Sequence, residues 1–285
     1  VVKFPGHTEG MNTKLEAMKK AISRLPLVHK VTFSGAVPGE EVATFLSNRR
    51  TNDALKQNRL YEMLACDPDY VDAYGLTVVA GRGFSEEYGD DVDKLVINET
   101  AVRNLGFTSN DEAIGQQVTV ECTDAPMQII GVVKDYHQQA LSKNYTSIML
   151  IHKDKIDWLP QRYISVVMKS GDPRELVSQV EEIWHRYFED SSYDYFFLDQ
   201  FFDHQYRQDE AFGVMIGSFT GLAIFISCLG LWVLVMFSCT TRTKEMGIRK
   251  VLGASRFNLF FQLGKGFFLL ILIAVLIALP VAWFS

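Results

Sequence analysis

Residues 212–256 read FGVMIGSFTGLAIFISCLGLWVLVMFSCTTRTKEMGIRKVLGASR, and this stretch decides the architecture. From Phe212 to Cys239 there are 28 residues without an Asp, Glu, Lys or Arg. At about 1.5 Å per residue, a helix of that length out-reaches a hydrocarbon core about 30 Å thick, so the stretch predicts a membrane span. The core helix of a soluble domain is seldom much longer than about 20 residues and usually carries a polar stripe. Here the apolar surface runs round the whole helix, punctuated by Gly213, Gly217, Gly221 and Gly230. Gly213, Gly217 and Gly221 recur every four residues, which puts them on one face where a neighbouring helix can approach closely.

A second uncharged run, Gly266 to Phe284, holds 19 residues and Pro280, just enough to cross, so a second span is expected over 257–285 with a truncated end. Between the two runs lie Arg242, Lys244, Arg249, Lys250 and Arg256 against Glu245 alone. A short loop with that bias stays in the cytoplasm, which puts residues 1–211 outside. Those residues carry 22 basic and 33 acidic side chains, a net charge of −11. An acidic surface of this kind repels nucleic acid and anionic lipid and argues against both as partners of the outer part. VVKFPGHTEG at the start has no basic head, apolar stretch or cleavage site, so an earlier membrane helix upstream of Val1 is expected to deliver the outer domain. Of four cysteines, Cys66 and Cys122 could pair only with alpha carbons within about 7 Å. Buried free thiols are the expectation for all four, Cys228 and Cys239 included.

The outer segment reads as mixed helix and strand. Leu15, Met18, Ala21 and Ile22 recur at helical spacing over 12–24, behind Asn12 or Thr13 as a cap and with Pro26 as a stop. Val28, Val31 and Phe33 alternate along a strand that runs into a turn at Pro38 and Gly39. From Tyr61 the pattern changes to short apolar runs with glycine punctuation, among them LTVVAGRGF, GQQVTVEC, MQIIGVVKDY and SIMLI, with Glu99–Leu105 as a short helix. After Pro160 the first style returns: RYISVVMK as a strand, PRELVSQVEEIWHRYF as an amphipathic helix behind Asp172 and Pro173, and YDYFFLD as a further strand. The fold class is therefore an α+β extracytoplasmic domain, a split α/β subdomain with a β-rich insert, joined to transmembrane α-helices. The divisions are 1–60 and 160–200 for the α/β subdomain, 61–159 for the insert, 201–211 for a stalk, 212–239 for the first span and 240–256 for a cytoplasmic loop. No proline or glycine interrupts 199–211, so stalk and span are expected to form one helix along which force could pass.

The motifs resemble a known family. RTKEMGIRKVLGAS, with FISCLGLWVLVMFS before it and FQLGKGFFLLILIAVLIALPVAWF after it, is similar to the membrane segment of FtsX/MacB-type ABC transporter permeases. Arg242, Glu245, Gly247, Ile248, Arg249, Gly253 and Ala254 sit at the family's spacing. The outer segment is similar to the MacB-like extracytoplasmic core, with FPG, VPG, YGLTVVAGRGF and IIGVVKDY as landmarks, and the wording looks most like the duplicated permeases of Bacteroidota. The resemblance implies a permease in the bacterial inner membrane, moved by a cytoplasmic ABC ATPase subunit, working with a second permease half or as a homodimer. It implies mechanotransmission to the outer domain, with efflux of peptides or antibiotics or lipoprotein handling as the task, and a membrane-fusion or other periplasmic protein as a further partner. Some members instead regulate a cell-wall hydrolase.

The loop can be read beside that resemblance. RTKEMGIRKVLG can form two to three helical turns, with Met246 and Val251 near one side. Glu245 and Arg249 are spaced to support a helix by about 0.2–0.5 kcal/mol, and Gly253 suits a helix stop. Arg242, Lys244, Arg249 and Lys250 are then left for acidic groups on a partner, giving an ATPase-coupling loop of Arg242, Lys244, Glu245, Met246, Gly247, Ile248, Arg249, Lys250, Gly253 and Ala254. The plainer alternative is that these cations only fix topology and meet lipid headgroups. Catalytic patterns are weak: His137 follows Asp135, but G-x-S-x-G, H-E-x-x-H and the P-loop are absent, and six scattered histidines lack ligand spacing. No enzyme activity, cofactor or metal is expected, and the energy must come from a partner. A membrane receptor or sensor with an outer ligand domain, and a membrane-anchored hydrolase, remain as alternative classes.

Overall fold

The computed structural model describes residues 1–4, 11–52, 57–85, 87, 91–139, 143–159, 161–189, 191–244, 248 and 271–280, with the backbone alone for 11–12 and 204–211. It divides into two compact units, Val1–Tyr206 and Arg207–Ser285.

In the first unit the strands are β1 (Val2–Lys3), β2 (Val28–Ser34), β3 (Phe45–Arg50), β4 (Arg59–Cys66), β5 (Val78–Gly81), β6 (Lys94–Asn98), β7 (Gln117–Val120), β8 (Met127–Val133), β9 (Ile148–His152), β10 (Tyr163–Met168) and β11 (Asp194–Tyr195). The helices are α1 (Met11–Ser23), α2 (Tyr70–Ala73), α3 (Glu99–Asn104), α4 (Asn110–Ala113), α5 (Pro173–Tyr187) and the start of α6 (Leu198–Thr241). Strands β11, β1, β10 and β2 pair antiparallel in that order. Helices α1 and α5 bury one face against them, through Leu15, Met18 and Ile22 from the first and Leu176, Val180 and Trp184 from the second. Asp172 caps α5 by accepting from the Arg174 N–H at 2.9 Å, with Pro173 at the position where no donor is lost.

The remaining strands close on themselves. β4 pairs β3, β3 pairs β7, β7 pairs β8, β8 pairs β6, β6 pairs β9, and β9 returns to β4 in parallel, forming a six-stranded barrel. Closure leaves these six strands with no open edge, and their inward side chains, such as Tyr61, Met63, Leu95, Ile129 and Met149, make the largest core. β5 is added to β8, where Gly81 faces Gly131.

Several expectations are met and some are corrected. The helices expected over 12–24, 99–105 and 173–188 form, as Met11–Ser23, Glu99–Asn104 and Pro173–Tyr187. α1 starts at Met11, so Asn12 and Thr13 lie in its first turn rather than capping it. The strand expected over YDYFFLD is only Asp194–Tyr195, because Phe196 and Phe197 leave the ladder and turn into α6. β3 lies before residue 60, yet its partners are β4 and β7, so it belongs to the barrel. The four thiols are free, but only Cys66 is buried. Cys122 is exposed, at a turn where φ is 71°.

The open sheet and the barrel meet through one ladder pair, Ser34 with Cys66. Asp67 extends that junction with its side chain. Buried at 1% exposure, it accepts from Lys19 Nζ at 2.6 Å, from the Phe33 N–H at 3.0 Å and from the Thr32 hydroxyl. Lys19 reaches Asp69 as well, at 2.6 Å, so α1 and β2 of the open sheet are tied to the segment after β4.

Candidate functional site

α6 covers Leu198–Thr241, 44 residues. Its stretch Phe212–Thr241 is long and apolar enough to cross a membrane, with a mean hydropathy of 2.4 and none of the side chains in its most apolar window buried. Three hydroxyls within it bond back to the helix itself: Ser218 donates to the Val214 carbonyl at 2.8 Å, Thr220 to Ile216 at 2.9 Å and Ser227 to Ala223 at 2.8 Å, which gives each a partner inside hydrocarbon. Gly213, Gly217 and Gly221 have open space where a side chain would be, which leaves this face of the helix bare.

Past the apolar stretch, the Arg242 N–H still bonds the Ser238 carbonyl at 3.3 Å, and the Thr243 hydroxyl bonds Cys239 at 2.9 Å. Arg242 and Lys244 are exposed, as is Ile248 at 64%. Glu245, Met246, Gly247, Arg249, Lys250, Gly253 and Ala254 lie outside the described residues. Of the second expected span, Ile271–Pro280 is described and is an apolar helix.

The first residues of α6 belong to the outer unit and carry aromatic side chains onto the loop between β2 and β3. A methyl group placed on Gly39 would come within 2.6 Å of Phe202 Cε1 and 3.3 Å of Phe201 Cε1. Any side chain there would have to displace the Phe202 ring, and the φ of 91° strains every residue but glycine. Phe201 packs on Phe196 at 5.5 Å between ring centroids, and Phe196 meets the edge of Tyr163 at 6.0 Å. The Tyr163 hydroxyl donates to Glu40 at 2.7 Å, and burial followed by the nearby Glu40 carboxylate pushes that phenol up.

From the barrel side, Gln138 is buried and donates both of its contacts to the same loop, to the Val37 carbonyl at 2.8 Å and the Glu40 carbonyl at 2.9 Å. The Gly39 N–H donates to the His137 carbonyl at 3.2 Å. Sequence reading identified neither Gln138 nor the hold of Phe201 and Phe202 on this loop. A glutamine after a strand has no signature that separates a buried hook from a solvated side chain.

Asp135 and His137 do not form an acid–base pair. Asp135 takes the Thr100 N–H and hydroxyl, each at 2.8 Å, and Arg103 at 2.8 Å, which fastens the end of β8 to α3. His137 packs on Tyr145 at 4.6 Å.

Two family models match the sequence: the MacB-like periplasmic core domain over residues 7–183 and the FtsX-like permease C-terminal segment over residues 217–285. Among curated proteins, the ABC transporter permease YvrN of Bacillus subtilis (strain 168) is 21% identical over 221 residues, which cover 70% of this chain and 52% of that protein. The macrolide export ATP-binding/permease protein MacB of Sodalis glossinidius (strain morsitans) is 24% identical over 211 residues, 68% of this chain and 31% of that protein. The chain thus spans about half or less of the length of these relatives. Among solved structures, the extracellular domain of the ABC-type transporter YknZ from Gram-positive bacteria aligns with a TM-score of 0.45 at 17% identity, over 64% of this chain and 85% of that one.

Proposed function

Since the chain belongs to the family of the MacB-like periplasmic core domain and carries the FtsX-like permease segment, we propose that it is a permease component of an ABC transporter that passes the motion of a cytoplasmic ATPase to a domain outside the bacterial inner membrane. The observation that carries this reading is α6: one helix over Leu198–Thr241 whose first turns hold aromatic anchors in the outer unit and whose last 30 residues suit lipid. Away from its ends the backbone hydrogen bonds of such a helix are internal, so the helix can carry a displacement from one end toward the other. The cationic residues that follow, Arg242, Lys244, Arg249 and Lys250, dock on acidic groups of the ATPase, and Gly213, Gly217 and Gly221 pack against a second permease half or a second copy. Cargo, a peptide, antibiotic or lipoprotein, is handled on the outer side, with a membrane-fusion or other periplasmic protein as a further partner.

The test is the double substitution Arg249→Glu and Lys250→Glu in the full-length permease, reconstituted in nanodiscs with the ABC ATPase that pairs with it. Membrane insertion should persist while the permease loses its influence on ATP hydrolysis. Unchanged coupling in this variant refutes the docking assignment. Labelling of Thr243→Cys from the outer face of intact cells refutes the topology.

A further inference from the structure

We propose that the loop Val37–Glu40 is the mechanical joint between the base of α6 and the barrel, and that Gln138 is its hook on the barrel side. The loop is held from three directions. α6 presses Phe202 and Phe201 onto the bare alpha carbon of Gly39, with a methyl-position distance of 2.6 Å to the nearer ring. Strand β10 reaches it through Tyr163, which donates to Glu40 at 2.7 Å. The segment after β8 holds it with three bonds: Gln138 Nε2 to the carbonyls of Val37 and Glu40, and the Gly39 N–H to the His137 carbonyl.

The chemistry of these contacts makes the loop a poor place for slack. Val37 and Gln138 are buried, at 0% and 1% exposure, so water does not replace a bond that opens there. The Gln138 amide uses its hydrogens on two carbonyls of the same turn, and that turn is closed internally by the Glu40 N–H on Val37 at 3.1 Å. A shift of the Phe202 ring therefore moves the turn as a piece, and the turn carries Gln138 and the end of β8 with it. The same loop is also the covalent crossing from β2, in the open sheet, to β3, in the barrel. Its meaning for transport rests on the reading of α6 as the force-bearing element. The joint itself does not.

Hydrogen–deuterium exchange on the full-length chain in lipid nanodiscs, without any ATPase, tests the joint. Phe202→Ala should speed amide exchange about tenfold at Gly39 and Glu40 and reach residues 137–139, while β6 exchanges as in the wild type. Gln138→Ala should act in the opposite direction, loosening the Phe201 N–H, which bonds the Phe197 carbonyl at 3.0 Å. A response to Phe202→Ala confined to residues 198–206 overturns the proposal. Should that variant not fold, Phe202→Leu gives the same reading with a smaller loss of contact, and silence at 37–40 and 137–139 overturns it equally. Because no ATPase is present, a permease that failed to engage one would refute the proposed function and leave this result untouched.

Discussion

Replacing Asp67 tests how the open sheet and the barrel are held together. In Asp67→Ala the Thr32 hydroxyl and the Phe33 N–H lose their buried acceptor, and Lys19 keeps only Asp69. At about 1–3 kcal/mol for each buried donor left unpaired, and less for the half-satisfied Lys19, the loss comes to about 3–5 kcal/mol. That is a large part of the roughly 5–15 kcal/mol that stabilises a typical domain. Asp67→Asn keeps the carbonyl oxygen and should cost about 1–2 kcal/mol less. The pH dependence is the sharper part. Burial pushes the Asp67 carboxyl above its ordinary range, and attraction to Lys19 with the bonds from Lys19, Thr32 and Phe33 pulls it only part of the way back. The folded state thus holds this proton more tightly than the unfolded state. Stability from this group is fully present below the ordinary carboxylate value and is lost as pH rises through the raised one. Asparagine does not titrate, so the penalty of Asp67→Asn relative to wild type should be largest in acid and shrink toward neutral pH. Urea unfolding followed by fluorescence of the buried Trp184, with Trp158, Trp232 and Trp283 each replaced by Phe, measures it. A penalty that grows with pH would mean that the Lys19 ion pair outweighs burial, and the reasoning would be wrong.

Further substitutions address the barrel. A methyl at Gly131 would lie 1.9 Å from the Arg82 carbonyl oxygen, so Gly131→Ala must push β5 away and should cost about 3 kcal/mol or prevent folding, as thermal melting would show. Asn98 accepts from the N–H groups of Ala101 and Ile148, each at 3.0 Å, and donates to Thr146 at 2.7 Å. Asn98→Ala therefore removes a helix cap, a tie to β9 and a tie to the segment just before it, and a loss of about 2–4 kcal/mol in urea unfolding is expected. Cys122 holds a left-handed φ of 71° at an exposed turn, so Cys122→Gly should raise the midpoint by an amount equivalent to up to about 1 kcal/mol.

How far the fold was legible depended on what each segment's period could express. α5 was readable because Leu176, Val180, Ile183 and Trp184 fall on one face behind an Asp-Pro start, and the structure buries those four. β3, Phe45–Arg50, was not: FLSNRR has two arginines and an asparagine and shows no apolar alternation. Asn48 nevertheless lies fully inside, its amide near the sulfurs of Met63 at 3.2 Å and Met149 at 3.3 Å and its oxygen taking the Glu121 N–H at 3.3 Å. Those partners come from three other segments, so no local pattern announces them. The same holds for Gln138, Asp67 and Glu62, which accepts from Gln139 and Thr146 at 2.8 and 2.9 Å. In the candidate site, the apolar length of α6 and the basic residues after it were plain from composition. The grip of Phe201 and Phe202 on Gly39 was not.

The sequence by itself determined the properties that a linear stretch can encode: a run too long and too apolar for water, a cationic flank at its end, helix faces set by spacing, and motif wording that marks the family. Tertiary structure alone decided the closure of six strands into a barrel, the assignment of β3 to it, and the buried polar side chains that fasten one core to the other. The physical reason is separation along the chain. Strand partners such as Glu62 and Ile148, and hooks such as Gln138 on Val37, join residues scores of positions apart, and their stability exists only once folding has excluded water from between them.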